Sequence, residues 1–592
     1  MSFRIRQLFV LGWALLGPAT ASAATGEVVY RQTQEARRLF REQSYDQALP
    51  LLESAAKANP ADGLVWEALG HCYLAAGRYP DSAAAFQTCL DLGFRRLHSM
   101  YNLACLHARA GDPETALQWL TSAYRAGYID DSHVSTDSDL DPLRNDPRFQ
   151  ELTGVPHPGV SDRTTRWRSD LAYLHRRLRE VHYDVQAHIS EEELSAGIAA
   201  LVESIPRRTD LELRYDIQRL LARIGDGHTT VVLDRFRNMH GHGDAAPNGP
   251  CLAYPMDPWL FGDDLYIRAT GPGLESMIGA RVVRIGGRDV ASALAEIDPL
   301  ISHDNDWGAR WIAMEYLRDP GALRALGLAA ADGALEITVI AAAAAETTAT
   351  DARAGETNPS DVRGREITVT VTPVSCGESM ELIPAYRESD RPLPRYLRDL
   401  HQPISFDAMS DPELVWVQFN SVQDHGHETI AQVTDRLFEH LERTEAEYLV
   451  IDLRLNHGGS AHLARPLLHR LIGEDRINRT GHLFVITSRE TFSAAMCFAT
   501  ELETHTKALF VGEPTGSRPN FVGESSIFTV PYSGVAVSCS SRFHQNGDPT
   551  DTRTCIAPDL PAPLTIDDYR DNRDPAYEAI RAFIRDDATA AR

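Results

Sequence analysis

Ser493 has the setting richest in chemistry. It stands in Thr491-Phe492-Ser493-Ala494-Ala495, after an apolar strand-like run and a short turn, where a helical pattern begins. A hydroxyl there lies at the carboxyl end of a parallel strand, where α/β folds gather their sites. The amides of Ser493 and Ala494, at the positive end of a helix, can hold an oxyanion. Serine also caps helices at this position, so nucleophile and N-cap both stay open on this segment alone. A second segment, Ile451-Asp452-Leu453-Arg454-Leu455-Asn456-His457-Gly458-Gly459-Ser460, ends a strand in paired glycines that let backbone approach a ligand closely. No G-K-[ST] follows, so it is not a phosphate loop. His228, in Gly225-Asp226-Gly227-His228-Thr229, stands on a glycine-rich turn between a helix and a strand. Two pairs could ligate metal, His240-x-His242-x-Asp244 and His425-x-His427. Both fall in glycine-rich loop sequence, where alternating spacing rarely builds a closed site, and no metal or cofactor is expected.

The elements that must position these residues follow from periodicity. Residues 413–565 alternate strand and helix: strands over 414–419, 448–453, 483–487 and 508–512, helices over 427–445, 460–472 and 492–504. The near-continuous apolar run 448–453 reads as a parallel strand buried on both faces. The alternation predicts an α/β sheet with crossover helices. Upstream, Leu171, Leu174, Leu178 and Val181 fall at helical spacing, and the helical pattern runs on to Ile224, just before the His228 turn. Residues 250–375 carry short strand-like runs, with a strand–turn–strand over 279–290 of the kind PDZ-like modules use and a helix over 307–317 that stops before Pro320. The Ala/Thr/Gly/Asp-rich stretch 341–364 reads as a flexible excursion between two strands.

The N-terminal part has a different logic. Residues 29–130 repeat with a period of 34, in windows starting at 29, 63 and 97. The first window aligns Ala36, Tyr45, Ala48, Ala55 and Pro60, the second Trp66, Leu69, Gly70, Tyr73 and Phe86, the third Leu103, Ala104, Ala116 and Ala123. Small residues let paired helices approach and large ones fill the gaps between pairs. The pattern resembles the tetratricopeptide repeat, which implies a concave surface for a protein or peptide partner; a plain stacking spacer is the alternative. Residues 139–152 read as one closing cap helix, and the Pro/Gly-rich 155–162 as a linker.

Motifs in the last 150 or so residues are similar to those of the tail-specific proteases, the carboxy-terminal processing peptidases and tricorn-core relatives of peptidase family S41. The D-x-R-x-N-x-G-G strand end is matched by Asp452, Arg454, Asn456, Gly458 and Gly459, and the T-x-S-A-[AS] turn by Thr491, Ser493, Ala494 and Ala495. The V-G-E-x-[TS]-x-G element is resembled by 511–516, and the final P-x-S-G and P-D pieces by Pro531, Ser533, Gly534 and Pro558-Asp559. The resemblance implies a crotonase-like (ClpP/crotonase) core and serine peptidase chemistry. Relatives with a Ser–Lys dyad keep the lysine just beyond V-G-E, but here Ser517-Arg518 stands there, and a guanidinium cannot act as a base. The tricorn-type design uses a histidine on a D-G-H turn, which His228 matches. It implies Ser493 as nucleophile, His228 as general base, and oxyanion donors from Gly458 or Gly459 and from Ala494. Such relatives place a third carboxylate shortly before the P-D pair; no Glu stands there, so Asp551 is the expected residue and Asp548 the next.

The expected class is therefore α+α/β. It comprises a signal peptide over 1–23, tetratricopeptide repeats with their cap over 29–155 and a helical lead-in ending in the D-G-H turn over 165–235. A PDZ-like β module over 250–375 and a protease core over 400–585 complete it. The expected function is an exported serine peptidase acting on proteins or peptides. The alternatives are an inactive S41-like peptide-binding scaffold and another acyl hydrolase using the same residues.

Composition agrees with this class. The 592 residues are 43% hydrophobic and 24% charged, ordinary globular usage, with net charge −25. That acidity argues against a nucleic-acid-binding surface, since phosphates need Lys/Arg stripes. Arg4 and Arg6, an apolar run over 8–16 and Ala21-Ser22-Ala23 form a secretory leader pattern, with cleavage expected after Ala23 or Ala24 and the product in the periplasm or outside the cell; an uncleaved anchor is the alternative. No other stretch is long and apolar enough for a spanning helix, so the mature protein is expected without one. Eight cysteines without a C-x-x-C exclude a zinc ribbon or a thioredoxin motif. Cys72, Cys89 and Cys105 fall at helical core positions, and Cys539 and Cys555 are close enough in sequence to pair.

Overall fold

The computed structural model describes residues 19–126, 128, 131–154, 162–233, 251–340, 364–376, 382–386, 391–410, 413–424 and 428–590. The chain divides into two compact units, 1–159 and 160–592. The expected metal-ligating pairs at 240–244 and 425–427, and nearly all of the excursion at 341–364, lie outside the described residues, as does most of the expected leader.

The first unit is a stack of antiparallel helix pairs: Ala19–Arg41 with Tyr45–Ala58, Gly63–Ala75 with Tyr79–Asp91, and Arg96–Arg109 with Pro113–Arg125. Each pair turns through a left-handed residue at the 34-residue interval the sequence repeats: Gln43 (φ 57°), Gly77 (φ 69°) and Gly111 (φ 79°). Ala36, Ala48, Ala55, Ala104, Ala116 and Ala123 are all buried, as the repeat pattern requires. A Cβ on Gly70 would lie 2.6 Å from the Phe86 ring, so helix approach within the pair depends on its hydrogen. Cys72, Cys89 and Cys105 are buried as small core residues. The expected single cap helix is instead a 3-10 turn over Ser138–Leu143 followed by a helix over Pro147–Thr153. Pro142 and Pro147 remove the amides a continuous helix would need.

The second unit opens with three helices, Arg163–Val181, Glu191–Ser204 and Asp210–Ala222. The last two begin with capping boxes, Ser190 with Glu193 and Thr209 with Glu212. The chain then passes the His228 turn into a two-residue strand, Thr230–Val231. A seven-stranded antiparallel sheet follows, built around Asp264–Thr270, Arg281–Ile285 and Leu335–Ile340. The helices Val290–Ile297, Asp306–Leu317 and Pro320–Ala325 contribute to its core. Its entry and exit are tied by a disulfide between Cys251 and Cys376, beside the strand pair Leu252–Ala253 and Val374–Ser375. Cys539 and Cys555, the pair that sequence proximity suggests, are both free. Cys539 lies buried within the strand Ala536–Gln545, in register with Ser526, and burial pushes its thiol well above the ordinary range.

The last sheet has six strands in the order Ile404–Ser410, Glu413–Phe419, Leu449–Asp452, Leu483–Thr487, Leu509–Gly512 and Leu560–Pro561, parallel from the second strand onward. Helices Ile430–Thr444, Arg465–Gly473 and Ala494–His505 cover one face, and Pro575–Ala590 covers the other. Covering both faces explains the unbroken apolar runs: every residue of Leu449–Asp452 and Leu483–Thr487 is buried. A long hairpin, Asn520–Thr529 with Ala536–Gln545, leaves this sheet, and Thr230–Val231 joins its edge at Val537 and Ser538. That pairing carries the His228 turn to the carboxyl ends of the parallel strands.

Candidate active site

Ser493 sits between the strand Leu483–Thr487 and the helix Ala494–His505 with φ 53° and ψ −122°. Side-chain-bearing residues rarely adopt this conformation, which costs on the order of 1–3 kcal/mol and persists only where surroundings enforce it. The surroundings here are specific. The Thr491 hydroxyl donates to the Leu453 carbonyl at 3.0 Å, Phe492 N–H donates to the Asn456 carbonyl at 3.1 Å, and Gly516 N–H donates to the Thr491 carbonyl at 3.2 Å. The hydroxyl of Ser493 makes no cap bond to its helix; it lies 3.0 Å from His228 Nε2. Ser493 thus stands at the N-cap position, but its side chain does not make the capping bond that was one of the two readings the sequence left open.

The D-x-R-x-N-x-G-G motif divides into support and contact. Asp452 and Asp574 hold Arg454 at 2.9–3.0 Å, and its guanidinium stacks 4.4 Å from the Tyr396 ring centroid. Asn456 donates to the Phe419 carbonyl at 2.9 Å and accepts from Gly458 N–H at 3.0 Å. Gly458 has φ 111°, and a Cβ there would stand 2.7 Å from Ser493 Cβ and 2.9 Å from Ala494 N. The glycine thus lets one backbone lie directly against the serine. Its amide is already given to Asn456, whereas the amides of Gly459 and Ala494 have no acceptor among the described residues.

His228 is brought in by Asp226, whose Oδ1 accepts the backbone N–H groups of His228 at 2.9 Å and Thr229 at 2.7 Å. Asp226 also takes a 2.5 Å bond from the Ser540 hydroxyl and pairs with His182 Nε2 at 2.9 Å. Burial opposes its ionisation, but the bonds from His182 and Ser540 outweigh that and bring its pKa down to about 2. The imidazole lies between the rings of Phe492, at 4.5 Å and 21°, and Phe521, at 5.6 Å and 8°. Burial among these rings holds its pKa below the ordinary histidine value, against the pull of Asp304, Asp226 and Glu524. The neutral ring a general base needs is therefore favoured at neutral pH.

The expected third residue is not brought to the imidazole. Asp551 is held by Arg553, two residues on, at 2.7–3.1 Å, and Arg553 also clamps Glu503. Asp548 accepts from Thr550 on its own turn. A neighbouring guanidinium holds the carboxylate that the resemblance to tricorn-type relatives assigned to the histidine. The carboxylate that reaches the His228 turn is Asp304, buried at 4% exposure, whose Oδ1 accepts from Gly227 N–H at 2.9 Å. Sequence reasoning did not single it out: Ser302-His303-Asp304-Asn305 lies just before the predicted helix over 307–317 and belongs to none of the motifs, and the neighbouring Asn305 caps that helix, accepting from Gly308 N–H at 2.8 Å. Ser517 and Arg518, where a dyad lysine would be expected, both bind Asp304: the Ser517 hydroxyl donates to its carboxylate and Arg518 Nε to its carbonyl at 2.7 Å. Among the described residues no group of three or more His, Cys, Asp or Glu side chains is arranged to hold a metal ion.

Residues 33–93 match the family model of the tetratricopeptide repeat, and residues 414–562 match that of peptidase family S41. No curated protein matches the chain. Among solved structures it is similar to mature CPAF complexed with lactacystin, at 12% identity and TM-score 0.46, covering 72% of this chain and 98% of that one. It is also similar to the photosystem II D1 C-terminal processing protease, at 14% identity and TM-score 0.34, covering 72% and 97%. A third is the tricorn protease, at 13% identity and TM-score 0.34, covering 73% of this chain and 38% of that one. The assignment rests on the two family models: the chain carries an N-terminal tetratricopeptide repeat and, in its second unit, a serine-type peptidase domain of family S41.

Proposed function

We propose that the second unit hydrolyses peptide bonds of proteins or peptides through an acyl-enzyme on Ser493, with His228 as general base. The observation that carries this is the 3.0 Å contact between His228 Nε2 and Ser493 Oγ, two residues 265 positions apart, at a strained serine on a helix N-terminus. Ser493 Oγ attacks the carbonyl carbon while its proton passes to His228 Nε2. The amides of Ala494 and Gly459 receive the charge that develops on the carbonyl oxygen, since Gly458's is engaged by Asn456. The C–N bond breaks as Nε2 returns the proton to the leaving amine. A water then attacks the ester, gives its proton to Nε2, and the serine oxygen leaves with that proton. No cofactor enters these steps.

The reading extends to export, into the periplasm or out of the cell. It is supported by the leader pattern over 1–23 and by the Cys251–Cys376 disulfide, a bond that persists in oxidising compartments. No helix of the described residues is long and apolar enough to cross a membrane. The repeats are assigned a protein partner.

The test is mass spectrometry of a complex peptide mixture incubated with the mature protein, with Ser493→Ala and with His228→Ala. Cleavage lost in both variants supports the reading. A mixture left untouched by all three favours a peptide-binding scaffold, and cleavage that survives Ser493→Ala refutes the nucleophile.

A further inference from the structure

For Nε2 to accept the serine proton, the neutral ring must carry its hydrogen on Nδ1. Nδ1 of His228 is buried and has no hydrogen-bond partner among the described residues. A triad orients its histidine through that atom, so here the imidazolium charge must be met through space. The charged and titratable groups around the ring are Asp226 on its own turn, Asp304 from the loop before Asp306–Leu317, and Glu524 and His544 on the hairpin.

These four are not equivalent. Asp226 already accepts four bonds, the capacity of a carboxylate. Glu524 is exposed, lies 3.6 Å from His544 and 3.8 Å from Arg542, and is screened by solvent. His544 would add positive charge. Asp304 is buried and accepts two bonds, from Gly227 N–H and the Ser517 hydroxyl, which leaves half of its acceptor capacity open. A Cβ on Gly227 would stand 3.3 Å from Asp304 Oδ2 and 2.9 Å from the Phe492 ring, so the carboxylate is packed directly against the turn that carries His228.

We propose that Asp304 is the positioning residue of the His228–Ser493 pair: its carboxylate, fixed by Gly227 and Ser517, holds the D-G-H turn and stabilises the imidazolium formed during acyl transfer. Ser517 then serves by orienting Asp304 from the place where dyad relatives keep a lysine. This inference rests on the assignment of Ser493 and His228 above.

The experiment follows the His228 Cε1 resonance against pH by NMR, identified by its loss in His228→Ala, together with kcat and KM on a peptide substrate. Removing a negative charge makes the imidazolium easier to deprotonate. Asp304→Asn, close in shape, is expected to lower the His228 midpoint by about one pH unit and kcat by about 10- to 100-fold, as a unit charge acting across several ångströms in a partly shielded site would. KM should change little, and the acid limb of the rate profile should move to lower pH with the midpoint. Asp304→Glu keeps the charge and should hold the midpoint near wild type; Ser517→Ala should cost less in kcat than Asp304→Asn; Asp551→Asn should leave both readouts unchanged. If the Asn variant does not fold, Asp304→Ser, which leaves room for water to take both hydrogen bonds, replaces it. An unchanged midpoint and kcat in the charge-removing variant overturns the role of Asp304, as does a shift produced by Asp551→Asn instead. If Ser493→Ala or His228→Ala still cleaves, the reading of the site itself is wrong and the proposal falls with it; if both are inactive and only Asp304→Asn is silent, the site stands and Asp304 alone is refuted.

Discussion

Gly458→Ala puts the geometry of the nucleophile to a direct test. A methyl at this position would lie 2.7 Å from Ser493 Cβ, and ordinary contact begins at 3.4 Å, so about 0.7 Å of separation must be found. The methyl's other neighbours, Ala494 N at 2.9 Å and the Phe492 carbonyl at 3.1 Å, are backbone, so no flexible side chain can swing away. Displacing a reacting atom by 1 Å costs on the order of 100-fold in rate, so a shift near two thirds of that is expected to lower kcat/KM by roughly 20- to 100-fold. The φ of 111° adds strain on the order of 1–3 kcal/mol, read as a lower Tm in calorimetry. Gly77→Ala and Gly111→Ala provide the control: both glycines have positive φ, and no atom lies within 4 Å of the place a methyl would take, so they should lose stability through backbone strain alone and leave cleavage intact. A Gly458→Ala enzyme that folds and cleaves at the wild-type rate would refute the placement of Ser493 as the attacking group.

Further outcomes follow from the charges and the cross-link. Because burial holds His228 below the ordinary value of 6.5, kcat/KM should rise with pH through a midpoint below 6.5 and stay level above it, which a pH–rate profile reads directly. Stability follows the same sign: the unfolded chain takes up the proton first, so the contribution of neutral His228 is complete above pH 6.5 and falls away as pH drops from there to the folded value, which denaturant titrations at several pH values should show. Arg454→Met leaves Asp452 and Asp574 buried without their cation and should cost about 3–5 kcal/mol in the same titrations. Reducing Cys251–Cys376 releases a span of 125 residues and should lower the stability of the second unit by about 2–5 kcal/mol in thermal melts with and without reductant.

The site was legible in the sequence wherever its parts are neighbours in the chain. Asn456, Gly458 and Gly459 form one backbone turn, and Thr491, Ser493 and Ala494 another, so their types and spacing alone describe two surfaces that can face each other. The 34-residue repeat was legible for the same reason, since each helix pair is local and its small and left-handed positions recur in register. What joins His228 to Ser493 is not local. The link is made by two residues of a strand pairing with Val537 and Ser538, and no periodicity announces it; only the likeness to tricorn-type relatives pointed there. The same distance hid the disulfide, whose halves lie 125 residues apart, while two cysteines 16 apart looked like the better pair. Asp551 shows the opposite error, in which a local competitor was in plain view. Arg553 stands two residues away, and a guanidinium that can grip both carboxylate oxygens holds the side chain on its own turn. Asp304 was hidden because nothing local marks it: its neighbour Asn305 caps the following helix, while Asp304 itself serves a turn 77 residues upstream. In this fold the serine and its backbone donors are fixed by adjacent segments of one sheet, whereas the charge that meets the histidine is supplied from a separate sheet module. The acid–base half of the site can therefore be altered through Asp304 and Ser517 without touching the nucleophile turn.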